Sequence, residues 1–233
     1  MTQTRCHFAD PEEHDGFHPY CLDEEGAEAL VGKWFGKPRI CTRCGELHPE
    51  ETLMITELEA RVRGTIRNVP DFPKPGIQFK DISTVLADPR LMNDIIGWVC
   101  RPTKVLPEPT DLFVGLDARG FLFGLPAALL TGIPFVMCRK AGKLPGETVG
   151  FKYALEYGTA EIEIQEGAIH EGDRVVIVDD LLATGGTAHA AAMLVQQLGG
   201  IVTECVFITE LGFLDGRKKL EDLNIPVRSL VVY

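Results

Sequence analysis

The stretch Val175-Val176-Ile177-Val178-Asp179-Asp180-Leu181-Leu182-Ala183-Thr184-Gly185-Gly186-Thr187-Ala188 joins a buried strand, two acids and a glycine-rich turn in one unit. Four apolar β-formers in a row suit a parallel strand covered on both faces, and the alanine-rich run after Thr187 suits the helix that follows. At the start of that helix the main-chain N–H groups of Ala183, Thr184, Gly185, Gly186 and Thr187 lack intrahelical partners. The two glycines let a ligand approach the backbone, and Thr184 and Thr187 add hydroxyl donors, so the turn is matched to a phosphate monoester. Asp179 and Asp180 stand at the carboxyl end of the strand. Adjacent carboxylates ahead of an anion cradle make sense if the ligand also carries vicinal ribose hydroxyls or an associated Mg²⁺. Neither G-x-x-x-x-G-K-[ST] nor G-x-G-x-x-G is present, which argues against a P-loop kinase or a dinucleotide dehydrogenase.

Working outward, strand and helix patterns alternate. Residues 51–63 read as an amphipathic helix with Leu53, Leu58 and Val62 among its apolar positions, and residues 66–82, with three prolines and a glycine, as an extended loop without regular structure. Residues 88–99 read as a helix, 112–116 as a strand, 119–130 as a helix and 133–138 as a strand before a polar loop at 139–148. Strands at 161–165, 174–178, 201–209 and 227–232 complete the sheet. This alternation predicts an α/β fold with a mainly parallel sheet flanked by helices, and ligand loops at its carboxyl edge.

Those loops carry a common chemistry. Gly115-Leu116-Asp117-Ala118-Arg119-Gly120 leaves a strand and opens a helix, so main-chain donors and Arg119 can hold a pyrophosphate oxygen. Arg139, Lys140 and Lys143 sit on a glycine- and proline-bearing loop able to close over a leaving group whose charge grows as it departs.

The 233-residue chain is 45% apolar and carries a net charge of −11. That charge argues against a general nucleic-acid binder. No apolar run approaches the ~20 residues of a membrane span, and the N-terminus lacks the basic-then-apolar order of a signal peptide, so the expectation is a soluble cytoplasmic protein with no membrane partner. Residues 1–60 hold 13 acids against 5 bases. The first fifty residues also hold Cys6, Cys21, Cys41 and Cys44 together with His7, His14, His18 and His48. His18-x-x-Cys21, then Cys41-x-x-Cys44-Gly45, has the two-knuckle spacing of a zinc ribbon in which four ligands hold one tetrahedral Zn²⁺, with Cys6 as an alternative fourth ligand to His18. An acidic tail with unrelated cysteines is the other reading. Residues 1–50 are thus expected as a small Cys/His-rich appendage, and residues 51–233 as the main domain.

Taken together, residues 66–82, the run Arg139-Lys140-Ala141-Gly142-Lys143-Leu144-Pro145-Gly146, the run Tyr153-Ala154-Leu155-Glu156-Tyr157-Gly158 and residues 178–187 resemble the adenine branch of the type I phosphoribosyltransferases, over residues 53–233. The resemblance implies a homodimeric α/β enzyme that uses Mg²⁺ to convert adenine and 5-phosphoribosyl-1-pyrophosphate (PRPP) into AMP and pyrophosphate. It implies that residues 183–187 cradle the 5-phosphate, Asp179 and Asp180 bind ribose hydroxyls, and Arg119, Arg139, Lys140 and Lys143 serve pyrophosphate. Phe79 would stack on the base, the main chain of Gln78 and Lys80 would read its edge, and Leu211 would close the opposite side. Glu156 is implied as the catalytic residue, a role that suits a carboxylate near N7 as N9 attacks. Two features depart from the family: Lys80 stands where Arg is frequent, and the first fifty residues have no counterpart. A PRPP-binding regulator without turnover and an enzyme for another purine are the competing readings.

Overall fold

The computed structural model describes residues 49–101, 110–154 and 158–233, which fall into two compact units divided after Pro107. In the first, helix α1 (Pro49–Thr65) buries Leu58 and Val62, four residues apart on one face. It packs against α2 (Ser83–Leu86) and α3 (Pro89–Val99). Asp88 caps α3, its carboxylate accepting from Arg90 N and Leu91 N at 3.0 Å each, with Pro89 at the first helical position. Leu91, Ile95 and Val99 then recur every fourth residue and are buried.

Residues 66–82 are more regular than the prolines imply. Strands β1 (Arg67–Pro70) and β2 (Gln78–Asp81) pair antiparallel, with Arg67 opposite Asp81 and Pro70 opposite Gln78. The prolines forbid regular structure only between them: Pro70 closes β1, and Pro73 and Pro75 lie in the connecting loop, leaving the flanks free to pair. The hairpin base is anchored by Asp81, which accepts from Ser83 N at 2.9 Å and from the Arg67 guanidinium. Hydrogen bonds from the Ser83 side chain and main chain, and then from Arg67, hold the Asp81 carboxyl down at about 2.

The second unit is built on a seven-stranded sheet. Its strands are β3 (Leu112–Leu116), β4 (Phe135–Lys140), β5 (Thr148–Ala154), β6 (Thr159–Gln165), β7 (Arg174–Leu182), β8 (Ile201–Glu210) and β9 (Val227–Val232), in the order β5-β6-β4-β3-β7-β8-β9. The pairs β4·β3, β3·β7, β7·β8 and β8·β9 are parallel, whereas β6 runs antiparallel to both β4 and β5. Helix α5 (Gly186–Gln197) covers one face, where Leu112, Val114, Val175 and Ile177 meet Ala188, Ala191, Leu194 and Val195. Helix α4 (Phe121–Thr131) covers the other; a Cβ on its Gly124 would stand 3.6 Å from Val178. Central strands buried on both faces explain the unbroken apolar runs of β3 and β7. A short helix α6 (Lys218–Glu221) precedes β9.

The structure moves several expected boundaries. β7 continues to Leu182, so the acids lie inside the strand rather than beyond it. β4 begins at Phe135 and runs through Lys140, which puts Arg139 and Lys140 on the strand and leaves only the following residues as loop. Strand β5 was not expected. Its Val149, Phe151 and Tyr153 alternate inward against the core, while Gly150 and Lys152 dilute the apolar signal. No helix among the described residues is long and apolar enough to cross a membrane.

Candidate active site

The geometry starts where β7 gives way to α5. Gly185 adopts a left-handed conformation (φ 74°) directly ahead of the helix, which has no side-chain cap at its N-terminus. The first turn therefore offers main-chain N–H groups and the positive end of the helix dipole to an anion. Thr184 is exposed, and the Thr187 hydroxyl lies 3.2 Å from the Tyr153 hydroxyl of β5. The predicted cradle of Ala183, Thr184, Gly185, Gly186 and Thr187 is thus one continuous turn.

Just before it, Asp179 and Asp180 occupy adjacent strand positions. Asp180 is 3% exposed and is paired with Arg119, Nε to Oδ2 at 2.9 Å. Its own N–H donates to Asp179 Oδ1 at 2.8 Å, and its carbonyl accepts from the Thr209 hydroxyl at 2.8 Å. Burial, then repulsion from Asp180, raises the Asp179 carboxyl well above the ordinary range. Burial also raises Asp180, against the pull of Arg119. Two adjacent acids, with Asp180 buried against the Arg119 guanidinium, are poised for a hydroxyl donor or a cation.

Arg119 is placed by the β3–α4 turn, where Gly120 allows no side chain: a Cβ there would overlap the Val178 carbonyl and come within 2.7 Å of Leu116 N. Arg139 Nε pairs with Asp117 Oδ2 of the same turn at 3.1 Å, and its Nη1 donates to the Lys143 carbonyl at 3.1 Å. The predicted pyrophosphate residues therefore fall into two groups: Arg119 beside the acids, and Arg139, Lys140 and Lys143 on β4 and the loop after it.

Glu163, on β6, was missed by the sequence reading. It is 7% exposed, and its Oε1 accepts from Lys143 N and Leu144 N at 3.1 Å each while Oε2 accepts from the Thr148 hydroxyl at 3.2 Å. Burial works to raise this carboxyl, but the main-chain donors of Leu144 and Lys143 and the Thr148 hydroxyl outweigh it and hold it below the usual carboxylate value. In Ile162-Glu163-Ile164 the alternation reads as one solvent-facing acid; only the fold brings a loop twenty residues upstream across it. Glu163→Ala should leave the lysine loop poorly ordered and raise the KM for PRPP about tenfold, read in initial-rate kinetics.

In the other unit, Gln78, Phe79 and Lys80 lie together on β2, and the Phe79 ring meets Phe72 edge-on at 5.1 Å between centroids. Leu211 follows β8 directly, its N–H donating to the Leu182 carbonyl at 2.8 Å. Glu156 and the Cys/His segment of His18, Cys21, Cys41, Cys44 and Cys6 lie outside the described residues. Among the described residues no group of three His, Cys, Asp or Glu side chains is placed to hold a metal ion.

A mainly parallel sheet whose central strand carries paired acids into an anion cradle defines a type I phosphoribosyltransferase. The profile of the phosphoribosyl transferase domain matches residues 82–230. The adenine phosphoribosyltransferase of Thermoanaerobacter pseudethanolicus is 53% identical over 164 residues, covering 70% of this chain and 94% of that protein. That of Rhodospirillum rubrum is 52% identical over 168 residues, covering 72% and 95%. The crystal structure of the Saccharomyces cerevisiae adenine phosphoribosyltransferase, complexed with D-2,5-dideoxy-2,5-imino-altritol 1,6-bisphosphate and adenine, superposes with a TM-score of 0.71 at 43% identity, over 75% of this chain and 99% of that one. The chain belongs to the adenine phosphoribosyltransferases.

Proposed function

We propose that this protein transfers the 5-phosphoribosyl group of PRPP to N9 of adenine, releasing pyrophosphate and giving AMP. The observation that carries the reading is the junction of the Arg119–Asp180 pair with the cradle at Gly185. It provides a place for a sugar that bears both hydroxyls and a phosphate.

In this reading residues 183–187 hold the 5-phosphate through main-chain N–H groups and the two threonine hydroxyls. Asp179 and Asp180 accept from the ribose hydroxyls. Two adjacent carboxylates with ligand oxygens also fit the way Mg²⁺ is bound, and when present the ion supplies charge neutralisation at the departing pyrophosphate. Arg119, Arg139, Lys140 and Lys143 meet the growing negative charge as the C1–O bond breaks. Phe79 offers a ring face to the base, Gln78 and Lys80 their main chain, and Leu211 an apolar wall. Glu156, three residues after the Tyr153 that touches Thr187, takes up or holds the imidazole proton as the N9–C1 bond forms.

The test is nucleotide formation from PRPP and Mg²⁺ with adenine, hypoxanthine or guanine offered separately. AMP from adenine alone supports the reading, and loss of about a hundredfold in kcat for Glu156→Ala supports the role of that carboxylate. PRPP binding without nucleotide from any base would replace it with a regulator.

The proposal extends to assembly and to the N-terminal segment. Helix α4 exposes Leu122, Leu125 and Leu129 at 41%, 44% and 76%, spaced along one side, which supports a homodimer closed over this stripe. The Cys/His-rich segment ahead of α1 is proposed as a separate element folded around Zn²⁺ on His18, Cys21, Cys41 and Cys44, with Cys6 in place of His18 as the alternative. One equivalent of zinc per chain, lost in Cys41→Ser and Cys44→Ser, is the expected result by elemental analysis.

A further inference from the structure

The turn between β8 and α6 contacts the phosphate cradle through bare backbone. A Cβ on Gly216 would overlap the Ala183 carbonyl oxygen and come within 2.7 Å of Gly185 N and 2.9 Å of the Thr184 carbonyl carbon. A Cβ on Gly185 would in turn overlap the Gly216 carbonyl oxygen. Gly216 is buried, although residues 212–215 before it are exposed. Two main-chain segments that leave no room for a methyl group between them cannot shift independently.

The residue after Gly216 holds this turn in place. Arg217 Nε and Nη2 donate to the two carboxylate oxygens of Glu210 at 3.0 and 2.5 Å, Nη1 donates to the Val227 carbonyl at 2.7 Å, and Nη2 also reaches Ser229 Oγ at 3.3 Å. Glu210 is 4% exposed at the end of β8, and Val227 and Ser229 belong to β9. A planar guanidinium bound bidentately and fixed on a third side is a rigid strut, a role the Lys ammonium does not reproduce.

We propose that Gly216 and Arg217 are positioning residues for the ribosyl 5-phosphate: Arg217 fixes the turn to β8 and β9, and Gly216 buttresses the backbone of Ala183, Thr184 and Gly185 in the shape that presents its N–H groups to the anion. This rests on the assignment of residues 183–187 as the phosphate cradle. The neighbouring base-side residue has its own tether, since Leu211 N donates to the Leu182 carbonyl and Tyr233 N to the Glu210 carbonyl. Disturbing the buttress should therefore be felt by the phosphate and hardly by adenine.

The experiment compares Gly216→Ala, Arg217→Lys and Thr187→Ala with the unaltered chain, measuring KM for PRPP and for adenine, kcat, and the dissociation constants of ribose 5-phosphate and pyrophosphate. For Gly216→Ala and Arg217→Lys the expected result is a rise of about tenfold in the PRPP KM and the ribose 5-phosphate constant. The adenine KM and the pyrophosphate constant should stay within about twofold, and kcat within about threefold. A general structural role would lower the melting temperature and shift all four binding values together, and that pattern overturns the proposal. If Gly216→Ala does not fold, Arg217→Lys decides alone. Weakened ribose 5-phosphate binding in Thr187→Ala but not in the Gly216 or Arg217 variants sinks the buttress. Unchanged binding in Thr187→Ala sinks the cradle assignment itself.

Discussion

Gly185→Ala is expected to lower kcat/KM for PRPP by about a thousandfold while leaving the chain folded. Three costs converge on this one methyl group. The residue sits at φ 74°, where an L side chain costs about 1–2 kcal/mol. Its Cβ would overlap the Gly216 carbonyl and lie 3.0 Å from the carbonyl carbon, both main-chain atoms with no rotamer to escape into. The cradle or the facing turn must move, and each charge-assisted N–H bond to the phosphate that is lost costs about 1.5–3 kcal/mol. Two lost bonds account for roughly the thousandfold, since about 1.4 kcal/mol corresponds to a factor of ten. Initial rates at varied PRPP check the effect. A melting temperature within a few degrees of the parent confines it to the site, and a change of less than about tenfold in kcat/KM would show that these N–H groups do not carry the phosphate.

Asp179→Asn should separate stability from activity. The parent carboxyl is raised by burial and by Asp180, so the folded chain holds its proton more tightly than the unfolded chain does. The sign follows: stability falls as pH rises from the ordinary value of 3.8 through the raised folded value, and above that value the whole penalty is present. The amide removes it and keeps an oxygen for the Asp180 N–H. At neutral pH the variant should therefore melt above the parent, by roughly 2–4 °C per kcal/mol relieved, and the two curves should converge at acid pH. Turnover should fall about 10²- to 10³-fold, because the amide puts N–H donors where the ribose hydroxyls need acceptors, and each polar group left unsatisfied costs about 1–3 kcal/mol. Melting curves across pH and steady-state rates measure both; a variant that is less stable at neutral pH would contradict the account of Asp179 as a strained carboxylate.

The parts of the site legible in the sequence are those made by neighbours along the chain. The apolar run of β7, the paired acids and the cradle are contiguous, and so are Gly115 to Gly120 around Arg119; strand, turn and helix each carry their own local signal. The helix read over residues 88–99 was equally local, and the structure starts it at Pro89 with Asp88 as its cap. The hairpin of β1 and β2 was hidden because prolines mark a loop without saying how short it is. Strand β5 was hidden because half of its residues face outward and are polar or glycine.

The sequence by itself determined the α/β class, the order of most strands and helices, and the run of acids, glycines and threonines that joins β7 to α5, since these depend on periodicity and on groups within a few residues of one another. Only the tertiary structure decided that Asp180 pairs with Arg119, that Glu163 organises the loop of Lys143, that Gly216 stands against the glycine-rich turn and that Arg217 is tied to β8 and β9. A charged residue or a glycine reads from sequence as surface or turn. Its role appears only when folding brings distant segments to within hydrogen-bond or van der Waals distance and removes the water between them.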